Sequence, residues 1–494
     1  MDKSDKEVTS DRIPDILKMG EIDSDFNQVI HTDVIDPVTI SQDRARFTLS
    51  RVAGFLHSDS KITLGITPLT TADAFYPLNV GVSNLIQTAT LTIGQEVVCS
   101  VSDYSDFHAY QSVFVTNDSN KEREQYLSQR CMSHAPHYDN RMAGVVDKPP
   151  NSAKKIGLDL GRNATVNIAN DVGATDLFPF QFNDATNAQT IADAPVYSVY
   201  LSDLFPFLKT NQLPVFMIDD EIHIDLVFKN ELSSLGAGGT AKSLRMCVKG
   251  AGTIDVAYQI DTKECKLIYD SIVYDGAVMA KYAADRAREG GVKFNYRDYR
   301  LAKRTGAQAA FQDLTFPIGG NGRLVTKVFF GLSADADFTP RSLLNGNNYK
   351  ASSPDHKLSV NLLYNDLFEF NTDRSNPALL FHTTNQAEGA LPMVTKDEWK
   401  IGGGSGVGGA PAPANALTPE VFMGQNQSLS AGGLGSNFNW VAIRPNKGSR
   451  VNNKGMDLIY KNDTLGAGTF TLRCYLELMK TATIVDGKFQ CYFA

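Results

Sequence analysis

Few residues in this chain are of types and spacings that could do chemistry. "CMSHAPH" sets Cys131, His134 and His137 at three-residue steps. Thiolate and imidazole are zinc donors, but a closed tetrahedral site needs a fourth ligand. None is close in sequence, and a polar stretch precedes the three, so the segment reads as a plain loop. "GSGVGG" (404–409) has the spacing of a phosphate-cradling glycine loop. Such a loop works between a strand and a helix, and here "APAPA" follows instead. Asp219-Asp220 could pair as acid and base, yet their place ahead of an alternating apolar run reads as a turn. No H-E-x-x-H and no P-loop motif occurs. The expectation is therefore no catalytic, no cofactor-binding and no metal residue, and no cofactor.

One stretch is strongly basic. Residues 281–304 carry Lys281, Arg286, Arg288, Lys293, Arg297, Arg300, Lys303 and Arg304 against Asp285, Glu289 and Asp298, with Phe294, Tyr296 and Tyr299 interleaved. Cations alternating with rings can hold nucleic acid or an acidic partner chain. The same pattern also fits a solvated helix and connector whose cations pair with neighbouring acids, and that reading is preferred.

The whole chain argues against a nucleic-acid coat. Its 494 residues carry a formal charge of −8, where counterion-releasing proteins are basic. Hydrophobic residues make up 42% and charged ones 21%, a globular composition. The length implies two or three cores rather than one. The six cysteines stand apart with no C-x-x-C pair, so free thiols are expected. The opening "MDKSDKEVTSDRIPDILKMG" has no apolar signal-peptide region, and no run is long and apolar enough to span a bilayer.

The elements that must position these residues are mostly strands. Phe, Tyr, Val, Ile and Thr dominate the ordered-looking runs, and Gly and Pro punctuate them. "RARFTLSRV" and "SKITLGIT" alternate with period two, and "ATLTIGQEVVCSV" reads as one longer apolar strand. Residues 103–130 break the rhythm as a partly helical insertion, and "LSDLFPFL" reads as a short helix capped by Ser202 or Asp203. In "EIHIDLVF", Ile222, Ile224, Leu226 and Phe228 share the core face, leaving His223 and Asp225 outside. The Ala-rich run 274–291 is the clearest helix, with Gly290-Gly291 ending it. Residues 401–416 form a low-complexity Gly/Pro loop.

A repeat organises the rest. Asp225–Asn230 ("DLVFKN") matches Asp457–Asn462 ("DLIYKN"), and "LGAG" follows each, at 235–238 and 465–468. "SLRMCV" and "TLRCYL" then take the same place. An offset near half the chain implies two similar β domains in tandem. The expected plan is an N-terminal arm (1–37), a first barrel (38–273), a helical connection (274–291) and a second barrel (292–494).

Three stretches carry a family resemblance: "VYLSDLFPFLKTNQLPVFMIDDEIHIDLVF", "TIDVAYQIDTKECKLIYDSIVYDGAVM" and "FQDLTFPIGGNGRLVTKVFFGL". The chain resembles the double-jelly-roll major capsid proteins of the adenovirus hexon and nucleocytoplasmic large DNA virus lineage. The polinton-like virus and virophage branch is closest in character. The resemblance implies an all-β chain of two tandem eight-stranded jelly rolls. It further implies homotrimeric pseudo-hexagonal capsomers tiling an icosahedral shell around double-stranded DNA. Implied partners are neighbouring copies, penton and minor or cement capsid proteins, with weak internal contact to packaged DNA. The place is the virion, after synthesis in the host cytoplasm or nucleus outside the signal-peptide route. The alternative is a β-sandwich carbohydrate-binding protein or glycoside hydrolase, which needs a carboxylate pair or an aromatic platform.

Overall fold

The computed structural model describes residues 28–49, 54–68, 81–114, 196–229, 243–248, 252–334, 358–375, 377–388, 440–446, 450–462 and 469–493. The Cys131–His137 segment, "GSGVGG", the 401–416 loop, both "LGAG" turns and most of the 1–37 arm lie outside them.

The first half of the chain runs through β1 (Val29–Ile35), β2 (Thr39–Ile40), β3 (Arg44–Leu49), β4 (Phe55–Leu56), β5 (Lys61–Leu64), β6 (Ile66–Pro68), β7 (Ile86–Ile93) and β8 (Glu96–Ser102). Then come α1 (Tyr104–Phe114), β9 (Tyr197–Tyr200), α2 (Leu201–Leu204), α3 (Pro206–Thr210), β10 (Ile222–Phe228), β11 (Ser243–Val248), β12 (Gly252–Ile260) and β13 (Lys266–Val273). One sheet is ordered β1-β13-β5-β9, and the facing one β2-β3-β10-β7-β8. With β2 and β4 set aside as short additions, and β6, β11 and β12 as a separate three-stranded sheet, the eight main strands lie first-eighth-third-sixth against second-seventh-fourth-fifth. That order is a jelly roll.

After α4 (Gly276–Arg288) the second half repeats it. Its elements are β14 (Val292–Ala307), β15 (Leu314–Gly319), β16 (Val325–Ala334), β17 (Leu358–Tyr364), β18 (Leu367–Phe368), α5 (Pro377–Glu388), β19 (Val441–Ile443), β20 (Met456–Asn462), β21 (Thr469–Val485) and β22 (Lys488–Phe493). The sheets are β14-β21-β16-β19 and β15-β20-β17-β18, the same order as before. The chain is a double jelly roll.

The repeated hexapeptide falls on equivalent strands. β10 and β20 are each the seventh strand, held between the second and fourth. Asp225 lies opposite Arg46 and Thr90, and Asp457 opposite Pro317 and Leu363. Leu226 and Phe228 are buried, as are Leu458 and Tyr460, so both copies keep the same face inward. Ile222 and Ile224 are buried as the alternation predicts.

The repeat does not extend as the sequence implied. "SLRMCV" is β11, which pairs with β12 in a hairpin appended to β6. "TLRCYL" lies within β21, the eighth strand of its barrel, and the matching eighth strand of the first barrel is β13. A short alternating run states which face is buried but not which strand is its neighbour.

Four further expectations change. The first barrel's opening strand is β1, inside the segment read as an arm; it pairs with β13 from Val29↔Val273 to Ile35↔Leu267. Its polar His31, Thr32 and Asp33 hid it. "ATLTIGQEVVCSV" is not one strand but parts of β7 and β8, joined by a turn in which Gly94 has φ +59. Ser202 and Asp203 sit inside the first turn of α2, whose N-cap is Tyr200, while Pro206 opens α3 at its first position. The basic run is not a helix and connector: it covers part of α4, but most of it is β14, the opening strand of the second barrel.

α4 is capped by Asp275, whose carboxylate accepts from the Ala277 amide at 2.7 Å. Gly290 and Gly291 end it with φ +83 and +100. Among the described residues no helix is long and apolar enough to cross a membrane.

Candidate functional site

The described residues bring chemistry-bearing side chains together in one place, the seam where the two barrels meet. On the first barrel it is built by β8 and α1, and on the second by β14, β16, β19 and β21. β21 explains why the seam can form. Leu472, Cys474, Leu476 and Leu478 point into the core of the second barrel, whereas Tyr475, on the opposite face, joins a cluster continuous with the core of the first, as do Ala482 and Ile484 further along the strand. Around Tyr475 and Glu477 both faces of the strand are therefore buried.

Aromatic rings fill the seam. α1 contributes Tyr104, Phe107 and Tyr110, and the second barrel answers with Tyr299, Phe329, Trp440 and Tyr475. Phe329 lies between Tyr110, stacked at 4.0 Å between centroids, and Tyr475, stacked at 5.0 Å. Phe107 meets Tyr299 edge-on at 4.7 Å. Gly331 makes room for Trp440: a Cβ there would stand 2.8 Å from the indole. Beside this cluster, Phe207 of α3 packs edge-on against Phe294 and Tyr296 of β14.

Polar groups in the seam are held in pairs and networks. Asp103, at the end of β8, accepts from Arg473 Nε at 2.9 Å and Lys303 Nζ at 3.1 Å. Arg473 also meets Asp106 at 3.2 Å. Deeper in, Lys327 contacts Glu388 at 3.0 Å and Glu477 at 3.3 Å. Glu477 also accepts from Tyr299 at 2.8 Å and from Thr326 at 2.7 Å, with Arg297 at 3.4 Å. Tyr110 donates to Glu388. At the far end Lys480 donates to the Val97 and Val98 carbonyls at 2.6 and 2.9 Å and faces Asp298 at 3.6 Å. Tyr296 adds a bond to the Val98 carbonyl at 2.8 Å, and Tyr475 one to that of Ser102 at 3.2 Å. β8 is the edge strand of its sheet, so these donors satisfy carbonyls that would otherwise invite another strand.

Burial and charge compete on each carboxylate. Burial pushes Asp103 up, but Arg473 and Lys303 outweigh it and hold the carboxyl below its ordinary range. Burial likewise opposes Glu477, and Lys327 and Arg297 win there too. For Asp298 burial wins: Lys480 offsets only part of it, and the carboxyl stays above its ordinary range.

Other predicted residues fall elsewhere. Asp219 and Asp220 are turn residues before β10; the Asp219 amide donates to Gly487 O at 2.8 Å, tying that turn to the one between β21 and β22. Asp225 accepts from Arg46 through both oxygens, at 2.7 and 2.8 Å, on the outer face of its sheet. Much of the basic stretch is engaged locally: Arg286 with Glu289, Arg288 with Asp285, and Arg300 over the Phe493 ring at 5.0 Å. Cys99, Cys265 and Cys474 are buried free thiols. Burial pushes all three up, Cys265 to about 12, which suppresses the reactive thiolate. Among the described residues no group of three metal donors forms.

The seam itself was missed in the sequence. Its signal was the doubly apolar reading of "FTLRCYLELMKTATIV", a strand without a clean polar phase and so covered on both faces.

No protein-family model matches the chain, and no curated protein matches it in sequence. In overall shape it is similar to the PBCV-1 virus capsid, at 11% identity and a TM-score of 0.48 over 95% of this chain and 97% of that one. The Faustovirus major capsid protein matches at 8% identity and 0.49, covering 98% of this chain and 94% of that one. The mavirus major capsid protein matches at 9% and 0.45, covering 94% and 90% respectively. The chain's own strand order makes it a double jelly roll, with its two barrels joined through a common buried seam.

Proposed function

We propose that the chain is a major capsid protein of a double-stranded DNA virus, of the polinton-like and virophage kind. In this reading three copies form a pseudo-hexagonal capsomer, and capsomers tile an icosahedral shell. The observation that carries it is the seam. One core cluster runs from the first barrel onto the outer face of the second barrel's β14-β21-β16-β19 sheet. Two barrels fixed in this way act as one rigid block with two similar corners. Three such blocks around a three-fold axis present six corners, which is what a near-hexagonal lattice needs.

The role is structural rather than catalytic. The buried carboxylates Asp103, Glu477 and Asp298 each face a cation, with side chains 8%, 2% and 9% exposed, not a cleft a sugar could enter. Partners are other copies, penton proteins and minor or cement proteins, and the place is the virion. Exposed Lys281, Lys293 and Arg304 are the cations for a weak internal contact with packaged DNA.

Light scattering of the purified chain across a range of concentrations tests this. A trimer or larger species is expected. A stable monomer with intact β-sheet signal at micromolar concentration overturns it and favours the carbohydrate-binding or glycoside hydrolase alternative.

A further inference from the structure

β1 is the outermost strand of its sheet, and among the described residues it pairs with β13 alone. Every second residue of such a strand turns its N–H and C=O away from the ladder, a template for another strand. Its side chains are open as well: Val29 is 48% exposed, Ile30 54% and Val34 61%. The register shows which face each residue takes. Ile30, Thr32 and Val34 stand beside Ile272, Asp270 and Ile268; Val29, His31, Asp33 and Ile35 stand beside Val273, Ser271, Tyr269 and Leu267 on the other face.

The sequence of this edge is Val-Ile-His-Thr-Asp-Val-Ile. Read in either direction from Thr32 it is chemically the same, polar-apolar-apolar, except that a base on one side answers an acid on the other. Antiparallel pairing of two copies about a two-fold axis at Thr32 sets Val29 against Ile35, Ile30 against Val34, and His31 against Asp33, each twice. Thr32 meets its own copy. Apolar pairs and opposite-charge pairs are the favourable cross-strand combinations, and like charges directly opposite are not. A two-fold contact requires this self-complementarity, in which residue i meets j and j meets i.

We propose that β1 is an interface for a second copy of this chain: the two β1 strands pair antiparallel about Thr32 and join the two β1-β13-β5-β9 sheets into one. The outer face of the joined sheet then carries a row Ile272–Ile30–Val34–Ile268, repeated by symmetry, with the Thr32–Asp270 hydrogen bond between the rows. A two-fold contact cannot close a three-fold ring. It therefore links chains of different capsomers, and it rests on the shell reading only for where in the particle the axis falls.

The test is site-directed disulfide formation in the full-length protein with diamide as oxidant, read as covalent dimer on a denaturing gel. Directly opposed residues have Cα atoms about 4.5–5.5 Å apart, within disulfide range, so T32C should link two chains well above the wild-type background. V29C should not, because the two copies of position 29 lie roughly 20 Å apart in this register. The charge pairs give an independent readout by sedimentation. H31D places carboxylates directly opposite one another and should weaken the association about tenfold, and the H31D/D33H double variant, which exchanges the two partners, should restore it. Linking by V29C as readily as by T32C overturns the register. No T32C link in protein that forms trimers overturns the contact and leaves the shell reading standing. A T32C link appearing only after deletion of residues 2–27 also overturns it, since the chain's own segment then occupies the edge. A T32C link in protein that never forms trimers supports the contact and defeats the capsomer reading.

Discussion

Asp103 and Asp298 are buried to nearly the same extent, 6% and 7% exposed, yet the seam treats their protons oppositely. Asp103 binds its proton more weakly when folded, so the stability it adds is fully present above its unfolded value and is lost as pH falls through the folded one. Asp298 binds its proton more tightly when folded, so its contribution is present at low pH and is lost as pH rises through the folded value. At neutral pH D103N should therefore destabilise, by roughly 3 kcal/mol for a broken buried pair. D298N should melt at or above the wild-type temperature at pH 7. Thermal melts from pH 7 down to about pH 3 separate the two, because both differences should shrink as the carboxylates protonate. E477Q should follow D103N, since Lys327 and Arg297 depend on the same charge. Equal behaviour of D103N and D298N would sink this account. G331A tests the packing beside them: its methyl group would meet the Trp440 ring, and a loss of about 1–3 kcal/mol is expected from overpacking.

At the scale of elements, β10 shows why parts of this fold were legible. Its alternation is clean, because one face meets the core and the other is exposed to solvent, so Ile222–Phe228 declared its buried face directly. I224D should cost more than about 4 kcal/mol, read as loss of the folded baseline in denaturant titration; a variant melting like wild type would refute the register. Elsewhere the pattern failed for identifiable reasons. β1 buries neither face, so its sequence has no core phase to read. β7 and β8 merged because a two-residue turn at Gly94-Gln95 leaves little polar sequence between two apolar strands. β14 looked basic because its exposed positions hold Lys293, Arg297 and Arg300, while the buried Phe294, Tyr296 and Tyr299 build the seam. The seam depends on contacts such as Tyr475 to Ser102, which are 373 positions apart, and no local pattern encodes a partner at that distance.

At the scale of the molecule, the two barrels should not melt independently. Their cores communicate through β21, which is buried on both faces around Tyr475 and Glu477. Calorimetry should show one cooperative transition rather than two, and residues 28–273 expressed alone should aggregate because the rings of α1 would face water. Two resolved transitions would show that the seam is weaker than its burial implies. The seam also sets a clock. Asp103 is matched by Arg473, 370 positions later, and at translation rates of about 5–20 residues per second that wait is roughly 20–70 s. During it the first barrel emerges with an aromatic surface uncovered and an acidic group waiting for its cation. Until β21 arrives, the half already made keeps an apolar face in water, and only the last stretch of the chain completes the seam.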